Sequence, residues 1–327
     1  MSLFETEGAA VSQAPKIVLH VGMPKTATSS LYAFLKAKRP ELKDRGILYP
    51  SLRLPGGKAL SHNDAAWLLS SGRQGQRDQV RWALERALEQ ARGSKLLFLG
   101  SENITKYARA DDGQSHEAGA RQIVKLMHTG ADEYWARRDR YLADLANILS
   151  PHLVELWIVL RRRDRFAESI YRQALLNRNY VGTISDLISS PFALLDYERI
   201  IAQYRQFFPV RLFIYEDLVE QGGGDAVTAL AHQLGLGDLA VGKTDAYRIN
   251  VGYNPEVLEY SRRLNHFPVA GKRELVQRLV QWSAGQSRSF DDITLLSADE
   301  RRSLIERFRD SDRRIMESFH LRLPRED

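Results

Sequence analysis

The segment HVGMPKTATSS, residues 20–30, combines residue types that bind phosphate groups. It includes the end of a strand-like apolar run that begins with KIVL, and it leads into the helical pattern TSSLYAFLKAKR. A tight turn between a strand and a helix presents free backbone N–H groups and the positive end of the helix dipole at the carboxyl end of the strand. We therefore predict an anion-binding loop here; an ordinary turn with a surface lysine is the alternative. The candidate ligands are Lys25, Thr26, Ala27, Thr28, Ser29 and Ser30.

The spacing within this segment differs from that of a loop that binds ATP. Such a loop reads GxxxxGK[ST], with the lysine directly before the hydroxyl residue, and it works with a magnesium-binding acid at the end of a neighbouring strand. Here Lys25 comes three residues after Gly22, and Thr28 occupies the position of the usual lysine. Later apolar runs lead into GSE, at residues 100–102, and into Arg161, with no obvious metal ligand. We expect side chains and backbone alone, without a metal ion, to meet the charge of the anion.

A second cationic motif, LRRRDRFAESIYRQ, begins at Leu160, where another apolar run ends. Arg161 should emerge at the same sheet edge as Lys25, which is the edge where open α/β sheets bind ligands. A helix that begins near Asp164 would let Ser169 share a phosphate with Arg161. A charge-assisted hydrogen bond is typically worth about 1.5 to 3 kcal/mol, so this pair would dominate the affinity for an anion.

The arginines beside Arg161 have simpler interpretations. Arg162 and Arg163 read as an exposed run. On the helix that follows, Arg165 and Arg172 share a face with Ser169, while the apolar positions turn towards the sheet.

Strand-like apolar runs alternate with long helical patterns along the chain. Each run is short, nearly continuous in apolar residues and followed by turn or capping residues, which is typical of parallel strands buried on both faces. We predict an α/β fold with a central parallel sheet flanked by helices. The four runs are KIVLHV (16–21), KLLFLG (95–100), VELWIVL (154–160) and VRLFIY (210–215).

Length and composition fit one large domain with helical decoration as well as two domains, and the lack of a linker leads us to predict a single domain. With 327 residues, of which 43% are hydrophobic, the chain can bury a sizeable core, and no linker marks a domain boundary. We expect a flexible leader at residues 1–15, a helical insertion at residues 114–150 and amphipathic helices after Asn254. Asp225 and Asn254 are candidate helix caps. The chain has no cysteine, which excludes disulfides, zinc–thiolate sites and a cysteine nucleophile.

The net charge and the N-terminal residues 1–15 limit which ligands, partners and location we expect. The formal net charge is +6, from 47 basic and 41 acidic side chains that mostly alternate, so only clustered cations indicate an anionic ligand. We recognise no module that reads nucleic acid, and we expect no nucleic-acid partner.

The leader lacks a basic start and an apolar core, and no apolar run approaches the length that spans a bilayer. We therefore expect a cytoplasmic protein without a transmembrane segment.

Together, GMPKTATSSL and LRRRDRFAESIYRQ resemble the two phosphate-binding motifs of the sulfotransferases that use 3′-phosphoadenosine 5′-phosphosulfate (PAPS). In that family a strand-to-helix loop of the type PKTGTTSL holds the 5′-phosphosulfate. An arginine followed eight residues later by a serine, the spacing of Arg161 and Ser169, holds the 3′-phosphate. Tyr171 and Gln173 continue the SxYxQ pattern of bacterial members. Ala27 departs from the family, in which glycine is usual, so the backbone there should be one that alanine adopts.

The resemblance covers most of the chain, although residues 114–150 have no counterpart in its motifs and suit a substrate-specific insertion. The further matches are RGILYP (45–50), FLGSENI (98–104), LFIYEDL (212–218) and RINVGYNPEVLEYSRRLN (248–265). The resemblance implies a nucleotide-binding fold of the P-loop type and an enzyme that transfers a sulfuryl group from PAPS to a hydroxyl, leaving adenosine 3′,5′-bisphosphate. A carbohydrate or glycolipid is the acceptor it favours, while the exact acceptor and the oligomeric state stay open.

Sulfuryl transfer needs a group that stabilises the leaving phosphate and a base that takes the proton of the acceptor hydroxyl. Lys25 is the candidate for the first role. Glu102 is the first candidate for the second role, because it follows the strand-like run KLLFLG and should project from the same sheet edge. The resemblance agrees, since related carbohydrate sulfotransferases use a glutamate or histidine as base, and His62 is the next candidate. Glu102 fits a salt-bridged or capping carboxylate equally well, and His62 fits a loop or cap residue. His20 reads as a satisfied core histidine.

Two other functional classes are alternatives to a sulfotransferase, and one further segment has two interpretations. A metal-dependent P-loop kinase or ATPase is the main alternative, disfavoured by the shifted lysine. A nucleic-acid-binding protein is allowed by the net charge but lacks a concentrated basic face. The segment EYWARRDRY, residues 133–141, fits either an acceptor groove lined with aromatic rings or a core stripe on a helix.

Overall fold

The computed structural model describes residues 14–110, 132–177, 180–240, 254–267, 270–284 and 294–321. The strands are β1 (Lys16–His20), β2 (Ile47–Leu48), β3 (Leu52–Arg53), β4 (Ala59–Leu60), β5 (Leu96–Gly100), β6 (Val154–Leu160) and β7 (Val210–Ile214). The helices are α1 (Thr28–Ala37), α2 (Arg39–Asp44), α3 (His62–Ser70), α4 (Gln74–Gln90), α5 (Asn103–Lys106), α6 (Asp132–Leu149), α7 (Arg163–Asn177), α8 (Ile184–Ser189), α9 (Tyr197–Phe207), α10 (Tyr215–Gln221), α11 (Ala226–Gln233), α12 (Gly237–Ala240), α13 (Pro255–Leu264), α14 (Lys272–Ala284) and α15 (Ala298–Ser318).

Five strands form a parallel sheet in the order β2-β5-β1-β6-β7. In the centre, His20 of β1 pairs with Gly100 of β5 on one side and with Trp157 of β6 on the other. All four predicted runs lie in this sheet, so the prediction of a central parallel sheet flanked by helices is confirmed. The edge strand β2 and the small antiparallel pair β3–β4 were not predicted, because two-residue strands carry no readable periodicity.

Apolar side chains cover both faces of the sheet, as nearly continuous apolar strands require. Ile17 and Leu19 of β1 belong to the core on one face, and Val18 belongs to the core on the other. The first core takes in α3, α4, α6, α7, α9 and the C-terminal helix α15, and the second takes in α1, α10 and α11. Because the sheet is parallel, the loops after β1, β5, β6 and β7 leave from one edge, where the candidate site lies.

The predicted helical parts of the chain are confirmed where the structure describes them. α6 accounts for residues 132–149 of the predicted insertion, and α13, α14 and α15 account for the amphipathic helices after Asn254. Asp225 caps α11 and Asn254 caps α13 through their side chains, as predicted. Residues 1–13, 114–131 and 248–253 lie outside the described residues. No helix in the described ranges has the length and apolar character needed to cross a membrane.

The segment EYWARRDRY lies in α6 and is a core stripe. Tyr134, Trp135 and Tyr141 are buried, and so is Arg138. The Arg138 guanidinium donates to the carbonyl of Ile104 at 2.8 Å. The interpretation of this segment as an acceptor groove is therefore wrong.

Arg163 is buried, which contradicts the prediction of an exposed run at Arg162 and Arg163. Its guanidinium donates to Asp312 of α15 at 2.7 Å, between the rings of Tyr197 and Phe308. Arg162 keeps partial exposure beside Asp164, with an N–O distance of 3.3 Å. The prediction fails at Arg163 because the covering helix lies far along the chain, where local sequence gives no sign of the contact.

Candidate functional site

The loop between β1 and α1, residues 22–27 and named here the Lys25 loop, uses two of its predicted ligand hydroxyls internally. Thr26 Oγ1 donates to the carbonyl of Met23 at 2.6 Å. Thr28 Oγ1, in the first turn of α1, donates to Glu102 Oε2 at 2.7 Å. Both threonines are buried, and their hydroxyl hydrogens are committed. They therefore offer an anion their backbone N–H groups rather than their hydroxyls.

Ser29 and Ser30 have more accessible side chains in the same helical turn. Ser29 is exposed and Ser30 is half-buried. Neither hydroxyl has a hydrogen-bond partner among the described residues. Of the predicted hydroxyl ligands in this segment, these two can donate to a bound anion.

The backbone of the Lys25 loop is left-handed at two non-glycine residues. The φ angle is 70° at Lys25 and 58° at Ala27. Left-handed residues next to a helix start are typical of backbones that gather N–H groups into anion-binding concavities. A Cβ atom on Gly22 would lie only 2.7 Å from the Thr28 side chain, so this position requires glycine. The expectation of an alanine-compatible backbone at Ala27 is wrong, because this conformation favours glycine.

Replacing Ala27 by glycine should stabilise the protein. Alanine in the left-handed region costs roughly 1 kcal/mol, which glycine does not incur. We expect the free energy of unfolding to rise by about 1 kcal/mol and the melting temperature by about 2 °C. Urea unfolding followed by circular dichroism measures the change. Ala37→Gly, at the right-handed end of α1, should instead destabilise, and stabilisation by both variants would contradict the assignment of strain to residue 27.

Three cations lie close enough to Lys25 to act on its charge, and together with Lys25 they are named here the cation cluster. Its members are Lys25, Lys106, Arg161 and Arg172. Burial lowers the pKa of Lys25; the Glu102 charge opposes this, and the other three cations lower the pKa further. Arg161 and Arg172 also lie 3.9 Å from carboxylates, those of Glu216 and Glu168, so the four cations keep a small excess of positive charge, which favours a bound anion.

Arg161 joins the two predicted anion motifs. Its Nη1 atom donates to the carbonyl of Lys25 at 3.1 Å, and its guanidinium lies 4.9 Å from the ring centroid of Tyr215. The closest Glu216 oxygen is 3.9 Å from Nε. The Nε atom is buried and has no hydrogen-bond partner among the described residues. The structure thus brings the Lys25 loop and Arg161 into contact and leaves one buried donor of Arg161 unused.

Ser169 lies on α7, the helix that follows Arg161. α7 begins at Arg163, one residue before the predicted start, and Phe166 and Ile170 are buried against the core as predicted. Ser169 is half-buried, and its hydroxyl has no hydrogen-bond partner in the described part of the chain. No hydrogen bond links Ser169 to Arg161 directly, so a ligand would have to join them.

Glu102 is held as a carboxylate at the end of β5. Its second oxygen, Oε1, accepts from Lys106 Nζ at 3.2 Å. Burial raises the pKa of Glu102, but the Lys106 charge, the Thr28 hydrogen bond and Lys25 outweigh it, so the pKa lies below its usual value. Glu102 is therefore a salt-bridged carboxylate, which was one of the two interpretations from sequence, and this pairing does not decide whether it also acts as a base. Glu102 lies beside the Lys25 loop, at the sheet edge from which the sequence led us to expect it to project.

His62 has both ring nitrogens bound to backbone. The N–H of Gly100 donates to Nδ1 at 3.2 Å, and Nε2 lies 3.2 Å from the carbonyl of Pro50, to which it donates. Burial lowers the pKa of His62 to about 4. No nitrogen of His62 is left to accept a proton from a substrate, which removes the reason for choosing it as a base.

His20 is a core histidine, as predicted, but it is satisfied on one nitrogen only. Nδ1 lies 2.9 Å from the hydroxyl of Tyr32, and the ring stacks on Phe98. Nε2 is buried and has no partner among the described residues. Burial lowers the pKa of His20 to about 4.

The buried neutral state of His62 should make the protein sensitive to acid. The imidazole of His62 binds a proton near pH 6.5 in the unfolded state and near pH 4 in the folded state. Its contribution to the free energy of unfolding is therefore fully present above pH 6.5 and is lost as the pH drops towards 4. Between pH 7.5 and pH 5, this one group should remove about 2 kcal/mol from the free energy of unfolding. Urea unfolding at both pH values measures this loss. His62→Gln should reduce the loss by that amount, whereas His152→Gln, at a half-exposed histidine, should not; an unchanged loss in His62→Gln contradicts the prediction.

Sequence reasoning missed three residues of the site. Lys106 lies four positions after Glu102, a spacing that brings side chains together on a helix, and this was the available signal. Tyr215 and Glu216 follow β7 directly, and both oxygens of Glu216 accept from the backbone N–H of Arg162 at 3.2 Å. Their position at a strand end was readable, but their contact with the Arg161 segment was not.

Comparisons with known proteins leave the site to be interpreted from its own geometry. No protein-family model matches the chain, and no curated protein matches it. In the ranges that the structure describes, no group of three or more His, Asp or Glu side chains is arranged to hold a metal ion.

Proposed function

We propose that this chain is a PAPS-dependent sulfotransferase that transfers a sulfuryl group to a hydroxyl of a carbohydrate or glycolipid. The hydrogen bond of Arg161 to the carbonyl of Lys25, at 3.1 Å, carries the proposal. It joins the two motifs whose likeness to that family is strongest, at the sheet edge where open α/β sheets bind nucleotides. A nucleotide with a phosphate at each end of the ribose would span from the Lys25 loop to Arg161 and Ser169.

The charge of the site supports an adenosine 3′,5′-bisphosphate group. The cation cluster has four cations against three carboxylates, those of Glu102, Glu168 and Glu216. The buried, unpartnered Nε of Arg161 is a donor for the 3′-phosphate, and the hydroxyl of Ser169 is a second. Charge-assisted hydrogen bonds of this kind are about twice as strong as neutral ones.

The residues of the site have distinct roles in this proposal. Bound PAPS supplies the sulfuryl group, which passes to the acceptor oxygen as the bond from sulfur to the 5′-phosphate oxygen breaks. Lys25 and the backbone N–H groups at the start of α1 stabilise the negative charge on that phosphate oxygen. Lys106 lies beside Glu102 and adds positive charge at the point of transfer. Glu102, ionised at neutral pH, takes the proton of the acceptor hydroxyl.

A P-loop kinase or ATPase is the alternative, and one observation favours it. Thr28 donates to Glu102 at the end of β5, the strand next to β1. ATP-binding loops place a hydroxyl and a magnesium-binding acid in similar positions. Against this function, Thr28 occupies the place of the usual lysine, and Lys106 already pairs with Glu102.

Calorimetry with the native protein distinguishes these functions. Adenosine 3′,5′-bisphosphate should bind at one site in the presence of EDTA and at least about tenfold more tightly than AMP, because only the former reaches Arg161 and Ser169. Added Mg²⁺ should leave this affinity unchanged. A requirement for Mg²⁺, or a preference for Mg²⁺–ATP over the bisphosphate, would contradict the proposal and favour the kinase.

A further inference from the structure

A cavity of about 320 Å³ lies between the carboxyl ends of β6 and β7 and the C-terminal helix α15. Leu160 and Ile214 contribute apolar side chains from the sheet, and Ile305 and Met316 contribute them from α15. Cavities of this size with apolar walls and a few charged groups are typical of small-molecule sites. It is referred to below as the α15 cavity.

The α15 cavity adjoins the candidate site, but no residue of the Lys25 loop lines it. Arg161 belongs to both the site and the cavity wall. Its guanidinium contacts the carbonyl of Lys25 and the ring of Tyr215, neither of which lines the cavity. Tyr197 does line it, and its hydroxyl donates to the backbone carbonyl of Arg161 at 2.8 Å. Arg161 thus lines the cavity and is held there by another residue of its wall, while its guanidinium contacts the loop.

The carboxylates that line the α15 cavity are already paired with arginines. Asp312 binds the guanidinium of Arg163 at 2.7 Å. Asp164, almost fully buried, lies 3.3 Å from Arg162 and 3.3 Å from Arg301. Because these negative charges are matched, they do not make the cavity a site for a cation.

Positive charge remains at the outer side of the cavity. Arg309 is exposed on α15, and its carboxylate partner is Glu306, an exposed residue of the same helix. Exposed pairs of this kind contribute little, so Arg309 can exchange its partner for a ligand at small cost. Apolar walls with an arginine at the opening suit a ligand that has an apolar body and one anionic group.

We propose that the α15 cavity is a separate site for a small amphiphilic anion, an aliphatic or aromatic carboxylate or sulfonate of about ten non-hydrogen atoms. The apolar body lies against Leu160, Ile214, Ile305 and Met316, and the anionic group is bound by Arg309. The proposal is independent of sulfuryl transfer, because none of its ligand contacts comes from the Lys25 loop.

Fluorescence titration of the native protein with 8-anilinonaphthalene-1-sulfonate tests this site. We expect one binding site from which octanoate displaces the dye, while neutral 1-octanol is at least tenfold weaker. Ile305→Trp, which fills the cavity, and Arg309→Glu, which reverses the charge at its opening, should each weaken dye binding at least tenfold. Arg302→Glu, at an exposed position of the same helix outside the cavity, should change it less than twofold. Circular dichroism melting curves confirm that the variants are folded.

Three outcomes would overturn the proposal. Unchanged dye affinity in both folded cavity variants would place the dye elsewhere. Equal displacement by octanoate and 1-octanol would remove the anionic requirement. Displacement by saturating adenosine 3′,5′-bisphosphate would make the cavity part of the nucleotide site, which leaves the proposed function standing but ends the case for a separate ligand.

Discussion

Replacing Glu102 by glutamine should lower the turnover of sulfuryl transfer by about a thousandfold and change the affinity for adenosine 3′,5′-bisphosphate by less than about threefold. Glutamine has nearly the same shape, and its amide oxygen can still accept the hydrogen bond from Thr28 Oγ1, which is 2.7 Å long in the native protein. It cannot take a proton from an acceptor hydroxyl. Transfer from radiolabelled PAPS, with the acceptor found in a panel of glycans, glycolipids and phenols, gives the turnover, and calorimetry gives the affinity.

Glu155 offers a matched control for this experiment. It is also a glutamate with a lysine partner, Lys16, but it lies near the amino end of β6, away from the candidate site. Glu155→Gln should retain turnover within about twofold. Full activity of Glu102→Gln would assign Glu102 only to holding Thr28 and Lys106, and equal losses of turnover and nucleotide affinity would indicate a collapsed loop instead of a missing base.

Replacing Arg161 by alanine should weaken the binding of adenosine 3′,5′-bisphosphate by about a hundredfold and that of AMP by less than about threefold. One or two charge-assisted hydrogen bonds to the 3′-phosphate, at about 1.5 to 3 kcal/mol each, account for a loss of this size. AMP lacks the 3′-phosphate and so does not depend on this contact. Calorimetric titration of both nucleotides into both proteins provides the measurement.

AMP also reports on the loop itself. Arg161 holds the carbonyl of Lys25, so a loop that collapsed in the variant would weaken both nucleotides equally. That result would refute the assignment of Arg161 to the 3′-phosphate. Arg302→Ala, at an exposed arginine of α15, is the control and should leave both affinities within about threefold. Ser169→Ala should weaken only the bisphosphate, by about tenfold.

Much of the fold was determined by patterns that are local in sequence. Continuous apolar runs fixed β1, β5, β6 and β7, because a strand buried on both faces has to be apolar throughout. Asp225 and Asn254 cap their helices because the bonds involved reach only two or three residues along the chain. The same reasoning placed the Lys25 loop and Arg161 at one edge, since parallel strands end together.

What the sequence did not determine depends on contacts between distant segments. Arg163 is buried because α15 returns to cover it, and Lys106 pairs with the carboxylate beside Thr28 because β5 lies next to β1. His62 loses its suitability as a base through bonds to the backbone of two other segments. Local periodicity indicates which face of a helix or strand is apolar. Only the packed structure decides which groups from distant segments lie beside a given polar side chain, and those groups determine its burial, its pKa and its partner.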